Sequence, residues 1–338
     1  MEAECFNVFF RTKTNLGCER PLNKELFRPL ARTAFYTLRG AAPQIRARMP
    51  ISISSGDQAP IFIIGCGRSG TTLLGELFAK HPEVSYRYEP YSLWAAVDPI
   101  TDFLQLYSRG EHHCLLDASS ATTRAQLRFR RLMSVPAGLT LVEKNPVNAL
   151  RIDYLESIEP DARFVHIVRD GVDVARSIEK VARITKKMAF RPPLNDWWGV
   201  GDAKWPALKL DGRKAGYHLE EVRQLRTDSQ RGAYEWLLSL HEIEARRARL
   251  GSRLVEFRYQ DLTEYPRETL RTVMESLGLA CPSSWLGEAA AQVSPARGGG
   301  HGKPLMLPHG VCTDFNRLQK EFQFNGRAVS ISDQPPLP

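Results

Sequence analysis

Long apolar runs, paired cysteines and an N-terminal leader pattern are all missing from this sequence of 338 residues. No apolar run approaches the roughly 20 residues that a membrane-spanning helix needs. The first 20 residues carry charges throughout and do not resemble a secretory signal. The six cysteines form no CxxC pair, which excludes the spacing of a zinc ribbon. These absences favour a cytoplasmic protein with reduced thiols, although a place in the secretory pathway stays open.

The charge is moderately positive and is not gathered in one tail. The 46 Lys and Arg residues exceed the 38 Asp and Glu residues, so the formal net charge is +8. This balance fits an anionic ligand, a nucleic acid or a membrane surface without choosing among them. Because the basic residues are spread along the chain, they do not form the patch typical of nucleic-acid binding, and we expect no nucleic-acid partner.

Short apolar segments alternate with helical patterns along the chain. Strands are predicted at residues 60–64, 84–88, 139–143, 162–168 and 253–259. Helices are predicted after the first strand as far as residue 80, and at 151–158, 171–187 and 266–277. This alternation predicts an α/β protein with three layers, in which helices flank a central parallel sheet on both faces.

The same pattern suggests where the domain begins and ends. Residues 1–58 are predicted to be a helical extension, with an amphipathic helix at 23–39, followed by a Ser-rich linker. Residues 59–325 are the expected domain, and 326–338 the expected flexible tail. An insert rich in Trp and Pro, at 188–215, interrupts the domain and shows little periodicity.

A glycine-containing loop joins the first strand to its helix, and it has the G-x-x-x-x-G spacing of a P-loop. Glycines let backbone N–H groups curl around an anion, and the helix start adds its positive dipole end. A guanidinium can bind two anion oxygens, and hydroxyl groups can donate to the same anion. We therefore predict an anion site within Gly65–Thr72, formed by Gly67, Arg68, Ser69, Gly70, Thr71 and Thr72.

The lysine of a true P-loop is absent, since Thr71 follows Gly70. In nucleoside-triphosphate enzymes that lysine contacts the β- and γ-phosphates, and the next Ser or Thr holds magnesium. Its absence argues against a kinase or ATPase. A P-loop nucleotide or sugar kinase and a noncatalytic nucleotide-binding protein remain the alternatives.

A second anion element follows the strand at 162–168. Arg169 ends this strand, and Ser177 lies eight residues further on, within the predicted helix. With a turn and two helical turns between them, both side chains can face one side. They could hold a second phosphate about one nucleoside away from the first.

Together these motifs resemble the PAPS-dependent sulfotransferases, and in particular their carbohydrate and tyrosylprotein branch, whose loop is P-R-S-G-T-T-L. Arg68 to Thr72 match this loop, whereas Gly67 replaces its proline. The resemblance implies a P-loop-like fold and transfer of a sulfuryl group from 3′-phosphoadenosine-5′-phosphosulfate (PAPS) to an acceptor hydroxyl. It also implies that Arg169 and Ser177 bind the 3′-phosphate. No metal is required where Arg and Lys supply the positive charge.

Two acid–base candidates lie close together in the sequence. Glu89 follows the strand at 84–88 and is our predicted general base, as is a Glu at matching order in the tyrosylprotein branch. His81 is the rival base, although His81-Pro82 has the pattern of a turn that ends a helix. Lys144, after the strand at 139–143, resembles the family's lysine that approaches the leaving phosphate.

Several positions keep two interpretations. Trp197, Trp198 and Trp205 either line the acceptor pocket or bury a lid against the core. Arg297 lies where some relatives carry a basic loop over the nucleotide. The acceptor itself stays open among a carbohydrate, a tyrosyl peptide and a small-molecule or natural-product hydroxyl.

Overall fold

The computed structural model describes residues 38, 40–49, 58–187, 197–295 and 304–333. Five strands form one sheet in which every pairing is parallel. The strands are β1 (Ile61–Ile64), β2 (Val84–Tyr88), β3 (Thr140–Lys144), β4 (Arg163–Val168) and β5 (Leu254–Arg258). Their order across the sheet is β2-β3-β1-β4-β5, so the first strand is central. Strands β6 (Leu305–Leu307) and β7 (Ala328–Ser330) form a separate parallel pair.

Helices connect these strands and cover both faces of the sheet, so the predicted three-layer α/β fold is confirmed. Residues 40–48 are also helical. The helices that follow are α1 (Thr71–Phe78), α2 (Tyr91–Val97), α3 (Thr123–Met133), α4 (Ile152–Ile158), α5 (Gly171–Lys187), α6 (Lys204–Lys214), α7 (Asp228–Leu250), α8 (Tyr259–Glu264), α9 (Pro266–Ser276), α10 (Ser283–Gln292) and α11 (His309–Glu321). Within the described part of the chain, no helix is both long and apolar enough to cross a membrane.

Strand β1 shows why the sheet must lie between two helical layers. Its four residues are entirely buried, because alternate side chains enter different cores. Ile61 and Ile63 pack with α1 and α9, whereas Phe62 and Ile64 pack with α2, α3 and α4. A strand buried on both faces has the continuous apolar sequence found here, IFII.

A third core lies beyond the carboxyl ends of the strands. It gathers Val168 at the end of β4, Trp198, Trp205, Trp236 on α7 and Phe315 on α11. The edge of Trp205 faces the ring of Tyr234, at 6.0 Å between ring centroids. This core supports the helices that surround the strand ends.

The insert at 188–215 differs from its prediction where it is described. From Lys204 onwards it forms helix α6, although Pro206 interrupts the apolar pattern. Pro206 lies in the first turn of α6, where a backbone N–H would have no intrahelical partner, so proline does not break the helix. Helix α7, with 23 residues and a capping box between Thr227 and Gln230, was also not predicted from the sequence pattern.

The predicted flexible tail, 326–338, contains the strand β7 and a 3₁₀ turn at Ile331–Asp333. Backbone pairing with β6 orders this segment despite its polar composition. The rest of the tail, Arg297, and all of the predicted helix at 23–39 except residue 38 lie outside the described residues.

Gly171 allows α5 to begin directly against the third core. A Cβ atom at this position would lie 2.7 Å from the Phe315 ring and 2.9 Å from the Trp236 ring. Both rings are buried, so neither has free space to move into. The second anion element, which spans the start of α5, therefore depends on a residue without a side chain.

We expect Gly171→Ala to destabilise the protein by about 1–3 kcal/mol, because overpacking a dense core forces neighbours off their preferred positions. Gly110→Ala is the matched control: a Cβ atom there meets nothing within 4 Å. The control should change stability by less than about 0.5 kcal/mol. Urea unfolding of both variants measures the difference, and equal stabilities would contradict the packing argument.

Candidate active site

The loop between β1 and α1 curls because two of its glycines have left-handed backbone angles. Gly65 has φ 132° and Gly70 has φ 101°. A side chain at Gly70 would also overlap the ring of Tyr259, at the start of α8. Gly70 caps α1 without a side-chain hydrogen bond, so the first N–H groups of the helix face the loop. This arrangement is suited to an anion.

The two predicted anion elements contact each other. Arg68 is exposed, and its Nε donates to the Ser177 hydroxyl at 3.1 Å. Arg169 donates from Nη1 to the carbonyl oxygen of Arg68 at 3.4 Å. The Arg169 guanidinium lies over the Tyr259 ring, 4.8 Å from its centroid, and Nη2 pairs with Asp173 at 3.2 Å. Tyr259 therefore contacts both anion elements.

Glu89 and Lys144 meet at the carboxyl ends of two neighbouring strands. Tyr88, the last residue of β2, is in register with Lys144, the last residue of β3. The Glu89 backbone N–H donates to the Lys144 carbonyl at 2.9 Å, and the two side chains form an ion pair. Lys144 Nζ also donates to the Thr72 hydroxyl at 3.1 Å, which links the pair to the loop.

Burial shapes the chemistry of this ion pair. Lys144 has no solvent exposure, and burial lowers its pKa, while the Glu89 charge opposes that change. The Tyr91 hydroxyl donates to the second Glu89 oxygen at 3.0 Å. Burial, assisted by the Glu89 charge, raises the pKa of Tyr91 well above its usual value, so this phenol stays a donor. Glu89 keeps 19% of its side chain exposed.

The exposed side of Glu89 faces a cavity of about 270 Å³. One wall belongs to the loop and includes Gly67, Arg68, Thr71 and Thr72. The rest of the lining, the aromatic wall, is largely apolar and aromatic, and it is formed by Tyr88, Tyr91, Phe103, Leu104, Val147, Val181 and Trp197. Glu89 thus shares one cavity with an anion-binding loop and an aromatic wall.

A second buried ion pair, which no sequence motif predicts, lines the cavity. Lys204 and Glu235 are 2.7 Å apart, with 7% of each side chain exposed. Glu235 also accepts from Trp197 Nε1 at 3.1 Å, and Lys204 Nζ lies 4.4 Å from the centroid of a Trp197 ring. The partners are 31 residues apart on different helices, so no local motif could reveal them.

Trp197 gives a physical reason for the glycine that departs from the family motif. Its ring packs against Gly67, and a side chain there would overlap it. Of the three insert tryptophans, Trp197 lines the cavity, whereas Trp198 and Trp205 are buried in the third core. The core interpretation therefore fits Trp198 and Trp205, whereas the pocket interpretation stays a prediction for Trp197.

His81, the rival base, lies at the opposite end of α1 and does not line the cavity. It is buried, and both ring nitrogens have partners: Nε2 is 2.8 Å from the Ala280 carbonyl, and Nδ1 accepts from Glu83 N–H. Its ring faces Trp285 edge-on. His81 thus anchors the turn that ends α1.

Comparison with known protein families gives a match for part of this chain, residues 60–198. Residues 60–198 match the model described as "Sulfotransferase family". This part of the chain is therefore similar to sulfotransferases. The matched segment contains both anion elements, Glu89, Lys144 and Trp197, and it ends before Lys204 and Glu235.

Two curated proteins are similar to this chain at low identity. Nodulation protein NoeE of Sinorhizobium fredii is 24% identical over 246 residues, which is 66% of this chain and 52% of that protein. Protein-tyrosine sulfotransferase 1 of Danio rerio is 24% identical over 280 residues, 80% of this chain and 66% of that protein. The chain therefore spans between about half and two thirds of these relatives.

Among solved structures, sulfotransferase STF9 from Mycobacterium avium aligns over 88% of this chain and 83% of its own. The sequence identity is 13% and the TM-score is 0.48.

If the predicted anion loop binds 3′,5′-adenosine bisphosphate, the nucleotide that PAPS leaves after sulfuryl transfer, Gly70→Ala should weaken that binding by at least about tenfold, because the new methyl group strains the loop and displaces Tyr259. Gly216→Ala is the matched control: Gly216 also has a positive φ, 88°, but a Cβ atom there meets nothing within 4 Å. Isothermal titration calorimetry measures both. Equal loss in the two variants would assign the effect to general backbone strain.

Glu143, next to Lys144, gives a prediction about pH. It is fully buried, accepts from Trp94 Nε1 at 2.9 Å and from Asn148 Nδ2 at 2.7 Å, and burial raises its pKa to about 8. Between the unfolded value of about 4.3 and that pKa, the folded protein holds a proton that the unfolded chain releases. The contribution of this group to stability therefore falls as pH rises through this interval.

We expect Glu143→Gln to remove this part of the pH dependence, on the order of 1 kcal/mol or more between pH ~5 and ~8. Urea unfolding at both pH values, on both proteins, makes the comparison. Parallel pH profiles would show that Glu143 holds no extra proton in the folded state.

Proposed function

We propose that this protein is an enzyme that transfers a sulfuryl group from PAPS to an acceptor hydroxyl. One observation carries the proposal: the Glu89–Lys144 ion pair lies at the strand ends, beside an anion loop in which Thr71 occupies the position of the P-loop lysine. A base and a buried cation are thus adjacent at the place where the transferred group would sit. The match of residues 60–198 to the sulfotransferase family model supports this assignment.

The proposed donor site uses both anion elements. The 5′-phosphosulfate binds the loop through Gly67, Arg68, Ser69, Gly70, Thr71 and Thr72, and the 3′-phosphate binds Arg169 and Ser177. In the free protein Arg68 donates to Ser177, so these groups already satisfy one another. Donor oxygens replace that contact with charge-assisted hydrogen bonds, which are the stronger kind.

The proposed chemistry is an in-line displacement. The acceptor oxygen forms a bond to sulfur as the bond from sulfur to the bridging phosphate oxygen breaks, and the electron pair stays on the leaving phosphate. Glu89 takes the acceptor proton, while Lys144 and Arg68 stabilise the charge on the leaving group. These side chains supply the positive charge, so the proposal needs no metal.

The aromatic wall supports an acceptor with a flat or ring-shaped group beside its hydroxyl. Tyr88, Tyr91, Phe103 and Trp197 offer faces that suit sugar and phenol rings. A carbohydrate, a tyrosyl peptide and a small-molecule or natural-product hydroxyl all satisfy this requirement. Acceptor screening with radiolabelled PAPS distinguishes these classes.

Calorimetry with nucleotides tests the donor. We expect 3′,5′-adenosine bisphosphate to bind at least about tenfold more tightly than ADP, because only the former presents a phosphate to Arg169 and Ser177. Arg169→Ala should remove this preference. Tighter binding of ADP, or hydrolysis of ATP with magnesium, would instead favour the kinase alternative.

A second experiment tests the base. Glu89→Gln should lower turnover by about 10²-fold or more while leaving the affinity for 3′,5′-adenosine bisphosphate within about threefold. Glu76→Gln, which changes an exposed acid on α1, is the matched control and should keep full activity. Full activity in Glu89→Gln would refute the assignment of the base.

A further inference from the structure

Two histidines and an aspartate converge away from the cavity, on elements that the proposed reaction does not use. His218 lies in the turn after α6, His241 on α7 and Asp314 on α11. One ligand atom from each lies within 4.8 Å of the other two. Both Nε2 atoms point to the same carboxylate oxygen, Asp314 Oδ2, at 3.0 Å from His218 and 2.5 Å from His241. None of the three lines the cavity.

Each imidazole also has a carboxylate behind it. His218 Nδ1 lies 3.4 Å from Glu221 Oε2, and His241 Nδ1 lies 3.7 Å from Glu244 Oε2. A carboxylate behind the ring is the usual partner of a metal-bound histidine, because it holds the proton on Nδ1 and leaves the Nε2 lone pair free. The Gly310 N–H donates to the other Glu221 oxygen at 2.6 Å and keeps this carboxylate in place.

The remaining contacts fix the direction of the three side chains. The Tyr217 ring stacks on His241, with centroids 4.9 Å apart and 15° between the planes. Arg317 Nε donates to Asp314 Oδ1 at 3.2 Å, so Oδ2 is the oxygen turned to the histidines. The side chains of His218, His241 and Asp314 are 14–19% exposed, which leaves them partly buried but open to an ion.

We propose that His218, His241 and Asp314 form a Zn²⁺ site that ties the turn after α6 to α7 and α11. Two imidazoles and one carboxylate match the ligands that zinc accepts, whereas calcium and magnesium prefer oxygen alone. Tetrahedral zinc with bonds of about 2.0–2.1 Å separates its ligand atoms by roughly 3.3 Å. The Asp314 oxygen reaches that spacing from each histidine by a shift of less than about 1 Å, and the two histidine nitrogens, which lie within 4.8 Å of each other, move to the same spacing when the ion binds. A water completes the fourth position.

Zinc would serve structure here rather than sulfuryl transfer. Helix α7 carries Glu235, and α6 carries Lys204, the ion pair that lines the cavity. A metal that joins the turn after α6 to α7 and α11 reduces the freedom of both helices relative to the sheet. When the ion binds, each histidine carries its proton on Nδ1, towards its own glutamate.

Calorimetric titration of the chelator-treated, full-length chain with ZnCl₂ tests the site. We expect one zinc per chain and a rise in Tm of about 3–6 °C at zinc concentrations near 100 times Kd. The double variant His241→Gln/Asp314→Asn should lower affinity by at least about 100-fold. Glu244→Gln should lower it by about tenfold, as expected when only the group behind a ligand is changed.

Two controls separate this site from other zinc ligands in the chain. His309→Gln changes an exposed histidine on the same helix as Asp314 and should leave zinc binding unchanged. Co²⁺ should give tetrahedral d–d absorption without thiolate charge transfer, which excludes cysteine ligands. Circular dichroism of the metal-free variants confirms that they fold. No saturable binding, or equal binding by the wild type and a folded double variant, would overturn the proposal.

Discussion

A charged lysine that is shielded from solvent needs an opposite charge beside it to be stable. Lys144 is such a lysine, and it forms an ion pair with Glu89. This pairing requires β2 and β3 to be neighbours and in register at their last residues. It also holds Glu89 at φ 37°, a left-handed angle that a residue with a side chain adopts at some cost. The position of the strand ends, the turn after β2 and the cavity all follow from this pair.

The sheet order brings the remaining groups to the same place. β1 is central, with β3 on one side and β4 on the other, so the loops after these three strands meet at one edge. Ligands of open α/β sheets bind at such a point, outside the carboxyl ends of the strands. The contacts from Arg68 to Ser177 and from Lys144 to Thr72 join the loop and helix after β1 to the helix after β4 and to the end of β3.

Much of the sheet and of the anion loop could be predicted from the sequence, because short apolar strands and glycine spacing are local signals. Strands β1 to β5 lie within one or two residues of their predicted bounds. The resemblance to sulfotransferases is confirmed by the family match over residues 60–198, while the roles of Glu89 and Lys144 stay predictions. No local sequence pattern predicts the Lys204–Glu235 ion pair, because it forms only when two helices that are distant in sequence pack together. Helix α6 was not predicted because Pro206 usually ends a helical pattern. The structure shows that this proline lies in the first turn of the helix, where it is tolerated.

The two walls of the cavity come from different parts of the chain. The loop wall follows β1, whereas Tyr91, Phe103 and Trp197 come from the connections after β2 and after α5. Connections can change in length and composition without altering the strands that they join. Divergence can therefore replace the aromatic wall while the anion loop is kept, so a lineage can change what the cavity accommodates without rebuilding its anion site.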